Sequence, residues 1–368
     1  MSILARKTKD PRGASDADDQ DLLALAFSAG HTRLAVISLH PGAGARTVVE
    51  TLTAEALERG IGIGVTSVPR VGLAAEQTER VTGVSLPEGA FVATACSIVD
   101  ESDALDPLER IDCHTPLGEI CICRMTRAAE VQVYGPDDPA ALGAVVGRLE
   151  ARSQGFVLVG GAWERHSFAS PEVAQAVILA AGATYSGTLE RSAAAVRHAV
   201  ELFELSRYEV PVDRVLREAI DQSTSLALDR NGRVLAKVST NGSDPCLGLE
   251  LVGEELASVV LPDFLSDAFL AALVRSSVCC TLVVKDATRI RVSPVYLTAW
   301  LRGGGRVAVV EPMRVLAVAT NPTNPTGPDN DARQFRSLIA ETVPRIPVYD
   351  VRLDTAVEEE APRWKFWG

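Results

Sequence analysis

Short apolar runs separated by glycine- and proline-rich turns set the rhythm of this chain. Leu34-Ala-Val-Ile-Ser-Leu39 has the look of a strand covered on both faces. A turn from His40 to Thr47 follows, with glycines at 42 and 44. Val48, Val49, Leu52, Ala56 and Leu57 then recur at helical spacing as far as Gly60, a residue that suits a helix C-terminus. Ile61–Ser67 reads as a second strand. Strand, glycine turn, helix and strand make a βαβ unit, which predicts a parallel sheet.

The middle of the chain repeats the pattern. Strands are expected at 119–124, 130–134 and 156–159, and helices at 138–152 and 189–206. Ser170-Pro171 is read as opening a further helix to about Ala181, because proline at the first helical position loses no hydrogen bond. Tyr208–Asp213 reads as a joint. Beyond it, Asp229-Arg-Asn-Gly232 between apolar runs predicts a hairpin, and strands are expected at 281–285, 314–320 and 346–351.

The organisation read from this is α/β, with a P-loop-like domain over 31–207 built on a mostly parallel sheet, and a smaller α/β domain over 208–353. A polar, Asp-rich arm at 1–30, with order expected to begin near residues 22–28, and an acidic then aromatic tail at 354–368 flank them as frayed or disordered ends.

Composition narrows the function classes. The 368 residues carry 36 basic and 48 acidic side chains, a formal charge of −12, which speaks against a generic grip on nucleic acid. No apolar run reaches the roughly 18 residues of a membrane helix. With seven cysteines read as free buried thiols, the expected setting is the cytoplasm.

The turn Ser38-Leu-His-Pro-Gly-Ala-Gly-Ala-Arg-Thr47 sits where P-loops cradle phosphates, after a strand and at a helix N-terminus. Against the pattern GxxxxGK[ST], His40 replaces the first glycine, Ala45 the second and Arg46 the lysine; Thr47 alone matches. The candidate nucleotide-binding residues are therefore Gly42, Ala43, Gly44, Ala45, Arg46 and Thr47, with Thr47 also the candidate magnesium ligand. No catalytic residue is assigned. Ser67, Ser167 and Ser170 lack a nucleophile-elbow context.

Further segments appear in order along the chain: Thr66-Ser-Val-Pro-Arg-Val-Gly72, Leu86-Pro-Glu-Gly89, Ala93-Thr-Ala95, Thr115-Pro-Leu-Gly-Glu119, Gly135-Pro136 and Val157-Leu-Val-Gly-Gly-Ala162. Then come Arg165, Ser167-Phe-Ala-Ser-Pro171, Leu179-Ala-Ala-Gly-Ala183, Asp286-Ala-Thr288, Asn321-Pro-Thr-Asn-Pro-Thr-Gly327 and Ile346-Pro-Val-Tyr-Asp350. Over residues 32–352 this series resembles the P-loop reactivase subunit associated with adenosylcobalamin-dependent lysine 5,6-aminomutase and ornithine aminomutase. The resemblance implies ATP and magnesium as cofactors. It implies a cobalamin-dependent aminomutase, a second reactivase subunit, or both, as partners, and release of damaged cofactor as the task.

This chain departs from that family at the positions that matter most for hydrolysis. The family's phosphate-binding lysine is Arg46 here, and its two aspartates fall on Val71 and Gly160. Charge neutralisation at the transferred phosphoryl group is the main catalytic term in such sites, so these changes imply little or no hydrolysis. The expectation is a degenerate P-loop subunit that binds a nucleotide or a partner protein. The alternatives are an active ATP or GTP hydrolase using Arg46, and a structural partner with an empty turn. Arg70, Arg165, Asn321 and Asp286 are further candidates for phosphate or partner contacts. Asn321 and Asp286 stand at carboxyl ends of expected strands, where α/β proteins bind ligands. Asp286 reads equally as a helix cap.

Overall fold

The computed structural model describes residues 22–68, 83–183, 188–238, 249, 252–276, 278–324 and 329–350. Arg70, Val71 and the tail 354–368 lie outside the described residues.

The first part runs α1 (Leu22–Ser28), β1 (Arg33–Ser38), α2 (Ala45–Glu58), β2 (Ile63–Ser67), β3 (Val84–Leu86), β4 (Phe91–Ala95), α3 (Cys96–Asp100), β5 (Leu105–Thr115), β6 (Gly118–Met125), β7 (Ala129–Val131), α4 (Pro139–Ser153), β8 (Phe156–Ala162), β9 (Ala176–Gly182) and α5 (Leu189–Phe203). A second series follows: α6 (Asp213–Asp221), β10 (Ser225–Leu228), β11 (Val234–Val238), β12 (Ser258–Val260), β13 (Leu265–Ser266), α7 (Asp267–Arg275), β14 (Thr281–Val284), β15 (Ile290–Arg291), α8 (Pro294–Arg302) and β16 (Arg306–Val309). The described chain closes with β17 (Arg314–Asn321), α9 (Ala332–Thr342) and β18 (Val348–Asp350).

The fold is α/β. Nine strands form the main sheet in the order β18-β17-β9-β1-β8-β2-β4-β6-β5. From β18 to β4 neighbours pair in parallel; β6 and β5 add an antiparallel hairpin at one edge. Strand β1 is central, and its side chains alternate between two cores. Leu34 and Val36 pack with Leu23 of α1 and Val48, Val49 and Leu52 of α2. Ala35 and Ile37 pack with Leu142, Val145 and Leu149 of α4, Val196 and Phe203 of α5, and Phe335 and Ile339 of α9. Burial on both faces explains why these strands read as plain apolar runs.

The smaller sheet has the order β11-β10-β12-β14-β16, with β12, β14 and β16 parallel. Its β10–β11 hairpin turns at Asp229–Gly232. The Asp229 carboxylate accepts from the amides of Asn231 (2.8 Å) and Arg233 (2.9 Å), and Gly232 has φ +80°.

Four features differ from the sequence expectation. The arm boundary at residue 30 is too late: residues 22–28, where order is expected to begin, form α1, whose Leu22, Leu23 and Ala26 are buried in the main core. The expected helix over 170–181 is a turn followed by strand β9, all seven residues of which are buried between β1 and β17. A continuous apolar segment carries no period to separate a buried helix from a buried strand, and tertiary placement overrides the helix preference of its alanines. Strands β17 and β18, assigned to the second domain over 208–353, join the main sheet instead. Cys96 and Cys121, read as free thiols, form a disulfide from the start of α3 to β6, 25 residues apart in sequence. Adjacent secondary elements bring them together, which spacing alone does not reveal. Among the described residues, no helix is long and apolar enough to cross a membrane.

Candidate functional site

The turn after β1 lies at the carboxyl edge of the parallel strands, next to the ends of β9 and β17. Gly42 (φ +81°) and Gly44 (φ +96°) adopt left-handed backbone, and Gly44 is the N-cap residue of α2. Both therefore need glycine. Ala43 is buried, and its amide donates to the carbonyl of His40 (3.1 Å).

His40 fills the inside of the turn. Gly182 at the end of β9 donates its amide to Nε2 (3.1 Å), and Nδ1–H donates to the Pro41 carbonyl (2.9 Å); one tautomer serves both. A Cβ on Gly182 would lie 2.7 Å from the His40 ring and 3.1 Å from Ala43 Cα, so only glycine admits this contact. The imidazole that replaces the first P-loop glycine thus anchors the turn to the neighbouring strand.

Asn321, a candidate from the far end of the sequence, reaches the same turn. Its Nδ2 donates to the Gly42 carbonyl (3.0 Å), and its Oδ1 accepts from the Thr323 amide (3.2 Å). The crevice between Ala43, Gly44, Thr47 and Asn321 holds about 10 Å³, enough for one water molecule at most. Thr47 faces this crevice.

Arg46 does not. Its Nε donates to the Glu50 carboxylate one helical turn on (2.8 Å), and Nη1 lies 3.4 Å from Glu130 in β7. Nη2 donates to Ser85 Oγ (3.4 Å), and Glu50 also accepts from the Ser85 amide (2.7 Å). The Glu50 hydrogen bond, followed by the nearby charges of Glu50 and Glu130, raises the guanidinium pKa above its ordinary value. These carboxylates also offset the cost of a cation near the positive end of a helix. The Glu50 contact was readable as an i, i+4 pair; Glu130, 84 positions away by its number, had no local signal.

Gly160 sits on β8 between Val36 of β1 and Ser67 of β2. A Cβ there would meet nothing closer than 3.8 Å, so the position has room that the sequence leaves empty. Gly161 differs: a Cβ would come within 2.3 Å of the Phe168 ring. The remaining candidates are placed apart from the turn. Arg165 forms an ion pair with Asp137. Asp286 is buried and caps the helical turn Ala287–Arg289, accepting from the Thr288 amide (2.8 Å) and hydroxyl.

Next to Arg165, His166 is buried where the main sheet meets the smaller one. Its Nδ1–H donates to the Trp163 carbonyl (2.6 Å), and its ring stacks on Trp163 at 4.8 Å. Burial pushes its pKa down, more than the Trp163 and Ile290 backbone contacts and Asp286 push it up. His198 on α5 donates from Nε2 to the Val292 carbonyl (3.1 Å) and is likewise depressed by burial.

The turn thus does not fit ATP and magnesium. The cation that should meet phosphate is held by two carboxylates, and β8 offers no acid at position 160. Among the described residues, no three His, Cys, Asp or Glu side chains gather to hold a metal ion. No family model, curated protein or solved structure matches this chain.

Proposed function

We propose that this chain is a noncatalytic P-loop-like subunit acting through a protein partner in the reactivation or assembly of a cobalamin-dependent aminomutase. The observation that carries the noncatalytic reading is the capture of Arg46 by Glu50 and Glu130, which turns the loop's one cation away from the turn. The His40 and Asn321 contacts support it, because they brace the turn where a phosphate loop needs open space. The aminomutase as partner rests on the ordered motif series over 32–352. A second reactivase subunit that carries a working P-loop would supply the hydrolysis.

Melting of the purified protein with and without Mg-ATP or Mg-GTP, with ADP or GDP release measured in parallel, tests the reading. No shift at millimolar nucleotide and no turnover is expected, since a ligand of the native state must raise the melting temperature. A shift without turnover would make the chain a nucleotide-binding subunit. Turnover abolished by Arg46→Ala would make it a hydrolase. Mixing the chain with the aminomutase and its second subunit tests the partner: loss of complex formation on analytical ultracentrifugation would remove that assignment.

A further inference from the structure

A cavity of about 320 Å³ opens at the opposite edge of the main sheet from the glycine turn, where β17 begins. Its size falls at the lower end of small-ligand sites. Leu25 of α1, Leu316 of β17 and Ile346 ahead of β18 supply an apolar wall. Arg314 and Arg345 line the same cavity, and among the described residues neither guanidinium pairs with a carboxylate. Both arginines are exposed at the rim of a cavity whose lining is about half apolar, in a chain of charge −12. Their planar forks suit oxyanions, which they can hold through two hydrogen bonds each.

The other polar groups set the ligand's charge. Glu204 also lines the cavity, and its Oε1 accepts from the Val315 amide at the cavity edge (3.0 Å). Burial, and after it the positive charge of Arg314, lowers the pKa of nearby His31. Two guanidinium groups against one carboxylate leave a single net positive charge. That balance suits a monoanion better than the dianion of a phosphate monoester.

We propose that this cavity binds a small monocarboxylate with an apolar body, an acyl or aryl acid, its carboxylate between Arg314 and Arg345 and its carbon chain against Leu25, Leu316 and Ile346. The site stands apart from the glycine turn and does not depend on the role proposed for that turn.

Titration calorimetry of the full chain with octanoate, 1-octanol and inorganic phosphate tests it. Octanoate should bind at one site per chain, with octanol and phosphate each at least about tenfold weaker. Arg314→Gln and Arg345→Gln should each weaken octanoate by about tenfold or more, the scale expected for loss of a charge-assisted hydrogen bond. Circular dichroism and melting temperature establish that both variants stay folded. No saturable octanoate binding at millimolar concentration, equal affinity for octanol, or binding unchanged in both folded variants would overturn the proposal.

Discussion

Asn321 Nδ2 lies 3.0 Å from the carbonyl oxygen of Gly42, so a residue near the end of the described chain closes a turn near its beginning. The contact follows from sheet order. Strand β17 lies one strand beyond β9, and its last residue comes level with the turn that leaves β1. Asn321→Ala should cost about 0.5–1.5 kcal/mol, the usual net value of such a hydrogen bond. Urea unfolding of the variant beside the parent protein measures it.

Gly44→Ala should cost more. The residue carries φ +96°, and a Cβ would lie 2.8 Å from Asn321 Cβ. Left-handed strain and the clash together should destabilise by about 1–3 kcal/mol. Pairing Gly44→Ala with Asn321→Gly in a double-mutant cycle should recover part of that loss, because the second change removes the colliding Cβ.

The two adjacent glycines of β8 should behave in opposite ways. Gly160→Ala places its methyl at ordinary contact distance and stiffens the unfolded chain, so stability should stay level or rise by up to about 1 kcal/mol. Gly161→Ala drives a methyl into the Phe168 ring and should lose about 1–3 kcal/mol by overpacking. Chemical denaturation of the two variants side by side checks the contrast.

Acid should loosen the seam between the two sheets. His166 and His198 both have pKa values lowered chiefly by burial. In the unfolded chain they take up protons near their ordinary value of about 6.5, while in the folded chain they resist. The unfolded state therefore binds more protons in this window, and stability must fall as the pH drops below about 6.5. The stabilisation is fully present at pH 7.5 and declines towards pH 5. Melting curves across this range should show the decline, and His166→Gln should flatten part of it.

The Cys96–Cys121 bridge closes a loop of 25 residues and should contribute about 3 kcal/mol through restriction of the unfolded chain. Calorimetric melting with and without a phosphine reductant, repeated on Cys96→Ser, should show a lower melting temperature for the reduced protein and no reductant effect in the variant.

Much of the main sheet was legible because its central strands are short apolar runs set off by glycine turns. Leu34–Leu39 and Phe156–Val159 announce themselves in this way. β9 did not, since Ala176–Gly182 is apolar at every position and rich in alanine. The destination of β17 and β18 was illegible for another reason. An apolar strand fits either sheet, and only β9 as an available partner decides it. Within the site, the glycine turn was visible as a departure from GxxxxGK[ST], and Asn321 as a residue at a strand end. That Asn321 meets Gly42, and that Glu130 meets Arg46, depends on sheet order and loop paths that local sequence does not encode.

The return of β17 to the main sheet also governs how the protein can be made. On a ribosome, β1, β8 and β9 emerge long before the partner that covers β9's free edge. The whole smaller sheet must be synthesised in between. Until residue 321 is out, a fully apolar strand has one bare edge, a ready template for pairing with another chain. The cell's exposure to this risk lasts for the time taken to translate about 140 residues, so slow synthesis through the second sheet should lower the yield of folded protein even where it leaves final stability untouched.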